Sequence, residues 1–122
     1  MKIKISSESI NAFAELKDTE TAKTIYNTLP IEGSANRWGD EIYFVMSIKL
    51  ACDADAKDIV GLGDVAYWPE GACFCIFFGK TPASKGEEIR AASKVNVFGK
   101  IIGDCKVFKK VKSNDLVILE RA

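Results

Sequence analysis

The chain has 122 residues, 48% hydrophobic and 28% charged, and its 17 basic and 17 acidic side chains cancel. That length suits a single domain over 1–122 with one core and no need of disulfide staples, and the neutral balance, with a pI near 6.3, lacks the electrostatic footprint of a nucleic-acid binder. No apolar run approaches the ~20 residues of a membrane span, and the opening KIKIS has no apolar signal-peptide core, so the expectation is a cytoplasmic protein with neither a nucleic-acid nor a membrane partner.

In chain order, Ile3 and Ile5 alternate with Lys2, Lys4 and Ser6 as a first strand. After a turn at Ser7-Glu8-Ser9, Ile10, Ala12, Ala14 and Leu16 alternate as a second. The period then becomes helical: Ala22, Ile25, Tyr26 and Leu29 share a stripe, Asp18 or Thr19 can cap it, and Pro30 ends it. Ile31 to Trp38 and Glu41 to Ser47 read as a hairpin about Gly39-Asp40, with Ile42, Phe44 and Met46 on one face and Tyr43, Val45 and Ser47 on the other. Asp53 to Asp58 reads as a solvated acidic segment. Tyr67 and Trp68 stand at a turn made by Pro69 and Gly71.

Ala72 to Phe78 is the longest apolar run, and both of its alternating sets are apolar, which describes a strand buried on both faces. Gly79 to Ala92 reads as a polar loop. Val95, Val97, Ile101 and Ile102 form a further strand, Val107, Phe108 and Val111 a short helical cover, and Leu116 to Leu119 a terminal strand. Many strands, few helices and no alternation of strand with helix predict a mainly β protein, a closed or nearly closed antiparallel barrel capped by one or two helices.

Several motifs fail on their context. Gly79-Lys80-Thr81 has Phe74 where a phosphate loop needs glycine. Gly61-Leu62-Gly63 runs into Tyr67-Trp68-Pro69 instead of opening a helix. Asp53 and Asp55 are followed by Lys57 and Asp58 where a calcium loop needs an oxygen ligand and a glycine. The four cysteines, Cys52, Cys73, Cys75 and Cys105, fit no zinc spacing and read as buried free thiols. No metal and no cofactor is expected. The chain has no histidine, which removes Ser-His and Cys-His nucleophile pairs.

Four segments carry a resemblance: Asn36 to Phe44, Gly63 to Pro69, Cys75 to Pro82 and Ala92 to Ile101 resemble, in order, the small prokaryotic cyclophilin-like proteins. The resemblance implies an antiparallel barrel closed by helices at its ends, with the helix around Thr19 to Leu29 as the first cap. True cyclophilins are similar more distantly. Aligned with them, their rim histidine falls at Val95 and their floor aromatic near Cys75, while Arg37 lies in the segment of their arginine, so the resemblance implies a pocket without the usual isomerase chemistry.

The expected site is a groove walled by the hairpin at Trp38 to Tyr43, the Tyr67-Trp68 turn and the strand bearing Asn96. Its candidate residues are Arg37, Trp38, Glu41, Tyr43, Tyr67, Trp68 and Asn96, binding a small molecule or a peptide segment. Arg37 would hold a carbonyl or carboxylate, and Tyr43 and Asn96 would hydrogen-bond the ligand. Two alternatives stay open: a weak prolyl isomerase using Arg37, and a module that binds a protein partner or a second copy through Tyr67 and Trp68. No catalytic residue is assigned; Glu41 is the one plausible acid–base group.

Overall fold

The computed structural model describes residues 1–122. Ten strands and one helix follow in the order β1 (Lys2–Ser7), β2 (Ile10–Leu16), α1 (Glu20–Thr28), β3 (Ile31–Ser34), β4 (Asn36–Arg37), β5 (Glu41–Val45), β6 (Lys57–Val60), β7 (Asp64–Trp68), β8 (Cys73–Phe77), β9 (Ile89–Ile102) and β10 (Leu116–Arg121), with a 3-10 helix over Cys105–Lys110 before β10. The first two strands and α1 stand where their periods place them. Thr19 is the helix cap, its hydroxyl accepting from the Ala22 N–H at 3.1 Å. No helix is long and apolar enough to cross a membrane.

All the ladders are antiparallel. They form one path, β3-β10-β1-β2-β9-β7-β8-β5-β4, with β6 paired to β9 off it. Ile42 and Phe44 from near one end of the path and Val117 and Leu119 from near the other belong to one buried cluster with Ile3, Ile5, Phe74 and Phe98. A sheet whose two ends share one core must be rolled around it. The ladder itself is nonetheless an open path. Its end strands, β3 and β4, are not paired to each other but are joined in sequence by Ala35, pinned by its N–H to the Asp115 carbonyl (2.8 Å) and by its own carbonyl to the Asn114 N–H (2.7 Å).

This pinning corrects the expected hairpin. Ile31 to Ser34 pairs with β10, and only Asn36 and Arg37 pair with β5. The chain crosses from one sheet edge to the other at Ala35, so the first half of the run is claimed by the terminal strand. Two further corrections concern residues expected in loops. Lys57–Val60 is a strand, and β9 begins at Ile89, six residues before Val95. Each completes the other's ladder, a pairing between segments about 30 residues apart that neither local pattern shows.

β8 is buried on both faces as its pattern predicts. Phe74 and Ile76 enter the main core, whereas Cys73, Cys75 and Phe77 enter a second cluster with Val60, Ala66, Ile89, Ala91 and Val95. Cys105 is also buried and Cys52 is exposed. The second cluster lies on the other face of the rolled sheet, roofed by the first half of β9 and by β6. Its edge forms the candidate site.

Candidate functional site

The hairpin between β4 and β5 starts the site. Trp38 and Glu41 exchange backbone hydrogen bonds at 3.0 and 3.2 Å across Gly39-Asp40. Gly39 has φ +62°, the positive value that two-residue hairpin turns require and that glycine adopts without cost. A side chain there would also press on the Lys80 carbonyl, 2.9 Å from an added Cβ. The tip is anchored further by Asp40 N–H to the Lys80 carbonyl and Phe78 N–H to the Asp40 carbonyl, both 2.9 Å.

From this hairpin Trp38, Glu41 and Tyr43 face a cavity of about 250 Å³, completed by Trp68 at the end of β7 and by Ala91, Ala92 and Val95 of β9. Specific contacts position its walls. The Trp68 indole N–H donates to Ser93 Oγ at 2.5 Å, and the Ser93 hydroxyl donates to Glu70 Oε2 at 2.7 Å. The indole lies so close over Gly71 that an added Cβ would come within 2.4 Å of the ring. Tyr43 meets Trp68 at a centroid distance of 6.5 Å and an interplanar angle of 77°, so the two rings form a corner and not a stack.

Glu41 is the one ionisable carboxyl in this lining, and only 5% of it is exposed. None of the ion pairs includes it. Burial pushes its carboxyl from 4.5 up to about 7, and a hydrogen bond with the Cys75 thiol pulls it partly back. The Cys75 thiol is itself raised well above its usual value, first by burial and then by the Glu41 charge.

Strand alternation sorts the seven sequence candidates. Trp38, Glu41, Tyr43 and Trp68 share the cavity; Arg37, Tyr67 and Asn96 face away from it. The adjacent pairs 37/38, 67/68 and 95/96 each send one member to the cavity side and one to the opposite side. Tyr67 is fully buried in the main core, where its hydroxyl donates to the Ile48 carbonyl (2.8 Å) and accepts from the Leu50 N–H (3.0 Å). Asn96 is equally buried. Its amide nitrogen donates to Thr21 Oγ1 (3.2 Å) and the Ala51 carbonyl (3.0 Å), and its oxygen accepts from the Asp53 N–H (3.0 Å).

Arg37 turns to the other side of the hairpin. Its guanidinium donates to the carbonyls of Gly39, Lys109 and Val111, pairs with Asp40 instead of Glu41, and lies over the Phe78 ring at 5.1 Å. Arg37 therefore anchors the hairpin from behind, while Tyr67 and Asn96 pin the 48–53 segment, and none of the three lines the cavity. Asn96→Ala is expected to cost about 2 kcal/mol by unpairing groups of α1 and of the 51–53 segment at once. Urea unfolding checks the cost, and a loss below ~0.5 kcal/mol would refute the latch.

Sequence reasoning missed Ala91 and Ala92 as lining residues; it reached Val95 and Cys75 only through the family resemblance, at the rim and near the floor of the implied pocket, and not Cys75 as the neighbour of Glu41. The alanines carried one signal, small side chains that leave room above a surface, but it has no meaning until β9 is known to cross the second cluster.

Comparison with known proteins agrees with this architecture. The family model described as "Cyclophilin-like" matches residues 1–120. The solution structure of the hypothetical protein AF2241 from Archaeoglobus fulgidus is similar at 45% identity, covering 100% of this chain and 95% of that one, with a TM-score of 0.86. The structure of McbB in complex with tryptophan is similar in fold, with a TM-score of 0.74 at 14% identity, over 98% of this chain and 44% of that one. No curated protein matches. With the family model spanning nearly the whole length and the archaeal structure matching end to end, the chain belongs to the cyclophilin-like family.

Proposed function

We propose that this chain binds a small molecule in the cavity bounded by Trp38, Glu41, Tyr43, Trp68 and β9. The observation that carries this reading is the convergence of three aromatic side chains and one buried, unpaired carboxyl on a preformed hollow, the composition that small-molecule sites favour. At about 250 Å³ the cavity lies just under the ~300 Å³ at which drug-sized sites begin, so a small ligand, or one end of a longer one, fits it. The fold supports the reading if the rolled sheet acts as a barrel closed through Ala35 and not through a β3–β4 ladder, because such a closure holds the hairpin and β9 at a fixed separation.

Two alternatives lose their residues. A prolyl isomerase using Arg37 has no arginine in the cavity, since that guanidinium is spent on three carbonyls behind the hairpin. A partner-binding face made of Tyr67 and Trp68 loses Tyr67 to the core. The tryptophan complex named for McbB belongs to that protein, and tryptophan enters here as one probe among several.

The test is a titration of isotope-labelled protein with tryptophan, indole, short Xaa-Pro peptides and simple amines, following the Trp38 and Trp68 indole N–H signals. At least one probe is expected to move both signals, and Trp68→Ala to weaken that probe roughly tenfold or more. Unmoved indoles, or unchanged affinity in Trp68→Ala, would refute the site.

A further inference from the structure

Resting on the binding site just described, we infer that the ligand class of this cavity is a small organic cation, a protonated amine or quaternary ammonium, held with its charge against the Glu41 carboxylate between the rings of Trp38, Tyr43 and Trp68. The first support is the state of Glu41. Glu41 is only 5% exposed, and the carboxyl of so buried a residue normally has a cationic partner or a set of hydrogen-bond donors. Here it has neither, beyond the Cys75 thiol.

Every neighbouring element withholds a counter-charge. On the hairpin, Arg37 and Asp40 pair with each other on the far side, and Lys109 reaches Asp40 at 3.9 Å. β8 offers only Cys73 and Cys75, whose thiols the Glu41 charge pushes further up. On β7 and its turn, Trp68 is followed by Glu70, which is engaged with Ser93. β9 lines the cavity with Ala91, Ala92 and Val95, while Arg90 is paired with Asp58 and Glu88 and Lys94 is exposed. Tyr43 is the remaining titratable group, and a phenol is no counter-ion.

The second support is the walls. An aromatic face carries negative potential, and rings set around a cation within about 6 Å attract it, most strongly where water is excluded. Trp68 and Tyr43 form a near right-angled corner, and Trp38 stands on the same lining beside the carboxyl. A neutral ligand in the same place would leave Glu41 protonated, or charged and uncompensated above about pH 7. A cation compensates it and meets ring faces at once.

The experiment compares charged probes with uncharged isosteres: choline against the alcohol in which carbon replaces its quaternary nitrogen, and propylammonium against propanol. Binding to the wild-type protein and to Glu41→Gln is read at about pH 8 from the Trp38 and Trp68 indole signals. At least one cation is expected to bind ten times or more tighter than its isostere, and Glu41→Gln to weaken that cation roughly 30-fold while leaving the neutral isostere unchanged or tighter. In the wild type the cation's affinity is expected to fall toward about tenfold per pH unit below about 7, as the proton on Glu41 competes with it. Equal affinity for a cation and its isostere, or a preference that survives Glu41→Gln, would overturn the cation class while leaving a binding site. Silence of both indoles toward all four probes, where indole, the one probe of the earlier panel with no cationic group, does bind, also overturns it. If no probe of either set moves them, the site itself falls.

Discussion

Stability is expected to fall by about 3 kcal/mol as the pH rises from about 4.5 to above 7, and Glu41→Gln is expected to abolish that fall. The folded-state pKa of Glu41, about 7, lies above the 4.5 of the group free in solution. Between those values the folded chain holds a proton that the unfolded chain has released. The stabilisation is therefore complete below about 4.5 and lost as the pH rises through about 7. Glu88 works in the opposite sense and in another window: backbone N–H groups of Lys85 and Gly86 hold its carboxyl down at about 2, so its contribution is present above 4.5 and lost toward pH 2. The raised thiols of Cys73, Cys75 and Cys105 act only at alkaline pH.

Urea unfolding of both proteins at about pH 5 and about pH 8, followed by tryptophan fluorescence, measures the effect. At pH 8 the Gln variant should be the more stable of the two, because it carries no buried charge. An identical pH slope in both proteins would show that Glu41 is not the buried acid described above. The same experiment guards the cation test, since a variant expected to be stabilised at the assay pH cannot lose binding by unfolding.

Arg37→Ala is expected to cost about 3 kcal/mol without moving the Trp68 indole signal. The guanidinium spans three backbone carbonyls, with donor–acceptor distances of 3.0–3.1 Å, that belong to the hairpin tip and to the segment around the 3-10 helix. Charge-assisted bonds of this kind are individually worth about 1.5–3 kcal/mol, reduced here because 28% of the side chain is exposed. Arg37→Lys should recover little, since a single ammonium cannot reproduce the planar fork that bridges Gly39, Lys109 and Val111. A loss under ~1 kcal/mol in Arg37→Ala would remove this latch, and a large movement of the Trp68 signal would show that Arg37 also sets the Tyr43–Trp68 corner.

The sequence by itself determined those elements whose side-chain period is local. β1, β2, α1 with its cap narrowed to Asp18 or Thr19, the doubly buried β8, the 3-10 cover and the terminal strand were all legible, because a strand's alternation and a helix's stripe are set by neighbours within a few residues. The mainly β, antiparallel, cyclophilin-like character followed from those elements and from the family segments. Trp38, Glu41, Tyr43 and Trp68 were legible as site candidates through their residue types beside turns.

Tertiary structure alone decided which of two adjacent residues met the cavity. Arg37, Tyr67 and Asn96 carry the same polar and aromatic chemistry as a binding site, but each lies one residue out of phase with a neighbour that enters it, and a one-residue step reverses the face. It also decided what β9 does. Its first half pairs with β6 and roofs the second cluster, while the rest pairs with β7 and β2, so Ala91, Ala92 and Val95 become a wall. Those pairings join segments tens of residues apart, and the burial that leaves Glu41 without a counter-charge arises only once they have formed.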